Sequence, residues 1–125
     1  MSNPAQYYQR VDVPEAELRV LDLTGAGAST PTKNSGPGAV VSRAGVGDYK
    51  FTFNENPGNF VCFGRPGLRS TTGVDLKNFD AVLKNYDTTN FVVEVFVFNG
   101  AGAATDLTSA QSLSIPVWFK RTKVS

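Results

Sequence analysis

A glycine-rich turn running into a strand of alternating aromatics constrains this chain more than any other feature. In Gly45-Val46-Gly47-Asp48-Tyr49-Lys50-Phe51-Thr52-Phe53 the aromatics recur at every second position. That period puts Tyr49, Phe51 and Phe53 on one face, with Lys50, Thr52 and Asn54 on the other. It is the pattern of a half-buried antiparallel strand. Glycine supplies the positive φ that a tight turn needs, and Asp48 is placed to accept hydrogen bonds from nearby backbone N–H groups. The stretch specifies a β-domain with an aromatic core. It specifies no reaction.

The rest of the chain repeats the same grammar. Short apolar or alternating runs at 17–23, 39–44, 49–54, 59–63, 80–86, 91–98 and 113–122 read as strands, and 68–78 has room for an edge strand. Turn residues separate them: Asn54-Glu55-Asn56-Pro57-Gly58, Gly64-Arg65-Pro66-Gly67 and Asp87-Thr88-Thr89-Asn90. Spacing of about ten residues with a turn signal between runs points to an all-β sandwich or barrel. The expectation is an antiparallel β-sandwich of seven to eight strands over 17–125, with no helix. Residues 1–16, polar and carrying Pro4 and Pro14, read as an N-terminal arm. Residues 24–38 read as one long loop, a kind that is functional or mobile. In the last strand Leu113, Ile115, Val117 and Phe119 share a face, and Ser112, Ser114, Trp118 and Lys120 share the other. Pro116, lacking an N–H, is expected at a sheet edge or a bulge.

Composition narrows the class of protein. The 125 residues suffice for one domain with a real core. Charged residues make up only 18% against 41% hydrophobic, which excludes a charge-driven disordered chain. A formal net charge of +1 provides no field to draw in nucleic acid or an anionic membrane. A single cysteine allows no intrachain disulfide, so burial and hydrogen bonding must hold the fold. The first residues lack a basic segment followed by an apolar run, so no secretory signal is read, and no apolar run reaches membrane-spanning length. Synthesis in a cytoplasm, a host's included, is expected.

A search for catalytic chemistry finds little. The chain contains no histidine, which removes the usual base at neutral pH and the commonest metal ligand, and with them any Ser-His-Asp or Cys-His arrangement. Cys62, between Val61 and Phe63, reads as a small buried hydrophobe. Glu55, Asp75, Asp80 and Asp87 are too dispersed to suggest a glycosidase pair or a calcium site. The similar loops Gly25 to Thr30 and Gly100 to Thr105 complete no phosphate-binding fingerprint, and no helix follows either. The expectation is a non-enzyme with no cofactor and no metal.

Surfaces are more informative. In 91–98 the residues Phe91, Val93, Val95 and Val97 share one face, and Val92, Glu94, Phe96 and Phe98 the other. A strand apolar on both sides implies a partner or an overlying segment on its second face. Phe96 and Phe98, with Trp118, are therefore interface candidates. Tyr7 and Tyr8 join them, because tyrosine offers large contact area with a polar tip. Arg65, Arg69 and Lys120-Arg121-Lys123 give small basic clusters; the last reads as a solvated C-terminus, with pairing to acidic surface on a partner as the alternative.

The run Ser42 to Phe53, with its glycine turn and Gly-Asp-Tyr entering a strand of aromatics, resembles a pattern in small tailed-phage virion proteins. A later apolar strand like 91–98 runs into a Gly/Ala/Thr turn, here Gly100 to Leu107, before a last strand. This order, over roughly 39–122, is similar to capsid decoration (cement) proteins and related tail-fibre or spike domains. The resemblance implies a jelly-roll-like sandwich, a homotrimer, seated on the capsid surface against the major capsid protein and stiffening the shell. It carries over no catalytic residues. A tail-fibre or baseplate receptor-binding domain recognising host glycan is the alternative.

Overall fold

A computed structural model describes residues 16–120, which form nine strands. These are β1 (Ala16–Thr24), β2 (Thr32–Ser35), β3 (Ala39–Gly45), β4 (Asp48–Phe53), β5 (Asn59–Phe63), β6 (Gly67–Ser70), β7 (Asp80–Leu83), β8 (Val92–Phe98) and β9 (Gln111–Lys120). One 3-10 turn, Val74–Leu76, lies between β6 and β7. The first sheet has the order β2-β1-β9-β5, with β6 also on β9; the second is β3-β4-β8-β7. Every pairing is antiparallel. The chain is an antiparallel β-sandwich, as its alternation predicts. It changes sheet after β2, β4, β6 and β8.

The core lies between the two inner faces. Tyr49 and Phe51 of β4 and Val93, Val95 and Val97 of β8 are fully buried from one side. Leu21 and Leu23 of β1 and Leu113, Ile115, Val117 and Phe119 of β9 meet them from the other. Phe53 and Phe119 cross the gap edge to face, with ring centroids 5.4 Å apart. This geometry is favoured by the ring quadrupoles and adds to the burial of their area. Phe60 stacks on Tyr86 at 5.1 Å, and Tyr86 in turn meets the Phe119 edge at 5.3 Å.

Several sequence expectations shift in detail. The long loop 24–38 contains β2, whose four side chains are all exposed and so carry no alternation to read. It is held by its ladder to β1 and by Asn34, which donates to Asp22 at 2.8 Å and to Thr24 at 2.7 Å. The run 80–86 is a strand only to Leu83. Phe91 lies before β8, at φ 60, a left-handed conformation unusual for a bulky residue. Its N–H donates to the Asp87 carbonyl, and its carbonyl accepts from Phe53. Pro116 sits in a central strand, paired with Val20 of β1. It is accommodated because its other neighbour is broken there: β5 ends at Phe63 and β6 begins at Gly67. The Pro116 carbonyl accepts from Gly64 at 2.8 Å. In an antiparallel strand N–H and C=O of one residue point the same way, so the missing N–H also faces the break.

Candidate functional site

The glycine turn and its aromatic strand form one end of the sandwich. Gly47 has φ 65, and a Cβ there would come within 2.7 Å of the Val97 and Thr105 carbonyl oxygens. Its N–H donates to Asp106 at 2.9 Å. The acceptor for this turn is therefore Asp106, 59 residues away, and not Asp48. Asp48 is already the first residue of β4, with its side chain on the outer face. Asp106 also takes both arms of the Arg43 guanidinium at 2.9 Å, which holds its carboxyl below the usual range. Next to it, the Leu107 N–H donates to the buried Tyr49 hydroxyl at 2.8 Å, and Leu107 itself is fully buried. Gly25 packs against Leu107 so closely that a Cβ would lie 2.3 Å from its carbonyl oxygen. The first Gly/Ala loop thus meets the chain just beyond the second, Gly27 N–H donating to the Leu107 carbonyl at 2.9 Å. Gly25 serves close backbone approach, whereas Gly27 and Gly102 serve the left-handed turn, at φ 62 and 82 with open space around them.

Phe96 and Phe98 lie on the outer face of the second sheet. Phe96 is flanked across the strands by Asp48 of β4 and Val82 of β7, and Phe98 by Asp80. Both rings are half-buried, and Val82 is 46% exposed. Farther along this face the Glu94 side chain is nearly buried between Lys50, its cross-strand partner, and Lys84, 3.7 Å away. Burial, and then the adjacent Glu94 carboxylate, push the Asp48 carboxyl up to about 6. Its Oδ1 is buried with no donor. Sequence reasoning missed this pair; the signal was two carboxylates on outward positions of strands that turn out to be neighbours.

The outer face of the first sheet has two halves. At one end Arg69 makes a two-pronged pair with Asp22 at 2.8 and 3.0 Å, Ser114 donates to Asp22, and Thr24 meets Ser112 at 3.0 Å. Burial opposes the Asp22 charge, yet the hydrogen bonds from Arg69, Ser114 and Asn34 hold its carboxyl at about 2. The other half is apolar. Leu18, Trp118 and Cys62 form one cross-strand row, and Val20 with Pro116 the next. Leu18 and Val20 are 44% and 42% exposed, and Val61, beside Cys62, is 50% exposed. Cys62 is an exposed free thiol, which corrects its reading as a buried hydrophobe. The bulge between Phe60 and Cys62 is the reason: Phe60 turns inward and Cys62 outward.

The structure does not bring the interface candidates into one patch. Phe96 and Phe98 belong to one sheet and Trp118 to the other, so they face opposite ways. Tyr7 and Tyr8 lie outside the described residues, as does all of the arm 1–16 except Ala16, which opens β1. The carboxylates Asp75 and Asp87 have local duties: Asp75 accepts from Ser70, Thr72 and Gln111, and Asp87 caps the turn to Asn90. Among the described residues no three His, Cys, Asp or Glu side chains converge as metal ligands. A cleft of about 430 Å³ opens at the sandwich end opposite the glycine turn, lined by Glu17, Arg19, Phe53 and the 54–57 turn. Arg19 lies there over the Phe53 and Phe119 rings at 5.6 and 5.9 Å. Compared with protein-family models, curated proteins and solved structures, the chain gives no match.

Proposed function

We propose that this chain is a non-enzymatic virion structural protein of a tailed phage, a capsid cement protein that binds the outer capsid surface. The observation that carries the reading is apolar surface on both outer faces of the sandwich, the exposed Val82 with half-buried Phe96 and Phe98 on one and the exposed Leu18 and Val20 with half-buried Trp118 on the other. A monomer in water gains nothing from either patch, whereas a protein wedged between neighbours buries them. Opposed faces suit contacts with two different neighbours or segments. Nested pairing, β1 with β9 around β4 with β8, supports the jelly-roll-like description drawn from the resemblance. On this reading the chain assembles as a homotrimer against the major capsid protein after synthesis in the host cytoplasm. Many weak contacts, repeated over a symmetric shell, add through multivalency.

The test is electron microscopy of particles made with and without this protein. A cement protein appears as added density at repeated positions on the shell, and its loss lowers the temperature at which the particles open. Density at the tail, in few copies, would sink the reading. It would favour instead a fibre or baseplate domain that binds host glycan, for which the Arg19–Phe53 cleft is the feature of interest; competition with phage for host cells tests that alternative.

A further inference from the structure

We propose that the free edge of β7 docks a second copy of this chain, pairing antiparallel with that copy's β7 about a twofold axis through Val82. β7 ends the second sheet, with β8 as its strand neighbour. The Lys84 N–H donates to the Glu94 carbonyl at 3.0 Å, and Val82 lies opposite Phe96. In an antiparallel strand the bonding direction alternates along the chain. Asp80, Val82 and Lys84 therefore direct their backbone groups to β8, and Ala81 and Leu83 turn theirs to the open side. Among the described residues no strand pairs with that side. A space of about 330 Å³ opens beside its Asp80–Ala81 end.

The opposite edge of the same sheet is guarded. On β3 the Ala39 carbonyl accepts from Lys33 at 2.8 Å, the Ala39 N–H donates to Gly36, and the ladder to β4 is bulged between Arg43 and Gly45. Such devices keep an edge from pairing with other chains. β7 carries neither a bulge nor a proline.

Side-chain chemistry selects a second copy as the occupant and sets the register. Asp80, Val82 and Lys84 share the outer face, and all are exposed. When Ala81 exchanges backbone hydrogen bonds with Leu83 of the second copy, symmetry pairs Leu83 with that copy's Ala81. Asp80 then stands opposite Lys84 of the second copy, Lys84 opposite its Asp80, and the two Val82 side chains meet on the axis. Both charges are available. Asp80 makes no ion pair among the described residues, and Lys84 reaches Glu94 only at 3.7 Å with its side chain 64% exposed. Opposite charges directly across a ladder attract, and like charges repel. A shift of two residues in either direction sets Val82 against a charge and breaks the ion pairs, so the register is specified. Phe96, Val82 and their counterparts in the second copy form one apolar row across the outer face. The contact does not depend on the capsid reading. It leaves the threefold contact of that reading to other surfaces, and a twofold pair then links one trimer to the next.

Cys62 is the only cysteine, so Cys62→Ser gives a thiol-free background. In Cys62→Ser/Val82→Cys the introduced thiols face each other across a non-hydrogen-bonded pair. Cα atoms there lie about 4.5 Å apart, within the range a disulfide spans. Mild oxidation is expected to give a covalent dimer. Cys62→Ser/Asp80→Cys is the control: its like positions are offset by about 13 Å along the strands, beyond a disulfide's reach. Sedimentation equilibrium, with native Cys62 kept reduced, reads the charges. Asp80→Lys sets like charges opposite each other on both sides of the axis and should raise the dissociation constant for mass doubling about tenfold. Lys84→Asp acts the same way. The combined Asp80→Lys/Lys84→Asp restores association, which a loss of folding could not do. Crosslinking no greater for Val82→Cys than for Asp80→Cys overturns the proposal. So does a parent protein whose mass does not rise with concentration, or a combined variant that associates as weakly as the single ones.

Discussion

Gly47 is doubly constrained, by its backbone conformation and by its neighbours. Its φ is 65, and the nearest atoms to an added Cβ are two carbonyl oxygens of the backbone at 2.7 Å, which cannot swing aside. Gly47→Ala is expected to cost at least about 2 kcal/mol, from left-handed strain and from displacement of the Val97 and Thr105 carbonyls. Thermal unfolding of the variant reads this directly. Tyr86 is the opposite case. Its ring is part of the core, but its hydroxyl is buried with no partner, and burial pushes its pKa up to about 12. Removing that oxygen discards a desolvation cost and keeps the stacking on Phe60. Tyr86→Phe is expected to be neutral or to stabilise by about 0.5–1 kcal/mol in denaturant titrations. A loss of stability would show that the hydroxyl finds a partner in solution.

At the scale of elements, two couplings join pieces far apart in the chain. Arg43 at the end of β3 grips Asp106 in the β8–β9 connection with two hydrogen bonds, both side chains being 19% exposed. Lysine keeps the charge but loses the paired geometry, so Arg43→Lys should cost about 1–2 kcal/mol, measured as a lower unfolding midpoint. The second coupling is between β4 and β8. Asp48 titrates near 6 in the folded protein against an ordinary 3.8, because burial and the Glu94 carboxylate disfavour its charge. The folded state therefore binds a proton more tightly than the unfolded one. Stability from this group is fully present below about pH 3.8 and is lost as pH rises through about 6. Asp22 and Asp75, both held at about 2, act in the opposite direction, losing their contribution as pH falls toward that value. The difference between parent and Asp48→Asn isolates the first effect. The variant should melt a few degrees above the parent at pH 7, with the gap closing by pH 4. A gap that persists at pH 4 would assign the gain to something other than the charge.

For the whole molecule, the outward phenylalanines separate assembly from folding. Phe96 and Phe98 lie half-buried outside the core, so Phe96→Ser/Phe98→Ser should lower the unfolding free energy by about 1–3 kcal/mol and leave the protein folded. On the capsid reading the same change lowers attachment to empty shells by an order of magnitude or more, because each lost contact is multiplied over a multivalent lattice. Co-sedimentation with purified shells measures it. Undiminished binding would move the contact to the other face or to the loops.

Alternation of residue type by itself determined that this chain is a β-sandwich, and it selected the core. Tyr49, Phe51, Leu113, Ile115, Val117 and Phe119 were legible because side chains alternate strictly across a strand and only one face can be dry. The outward direction of Phe96, Phe98 and Trp118 was legible for the same reason. What only the tertiary structure decided was which strands are neighbours. Period two carries no information on pairing, so it could not show that Phe96 and Trp118 point to opposite sides, or that Asp48 meets Glu94. It could not show that the acceptor for the Gly47 turn arrives from Asp106. β2 escaped because its side chains all face water, and Cys62 was misplaced because one bulged residue reverses every inside–outside assignment beyond it. Inside and outside follow from the local chemistry of each residue; adjacency depends on contacts between segments tens of residues apart, and those exist only in the folded chain.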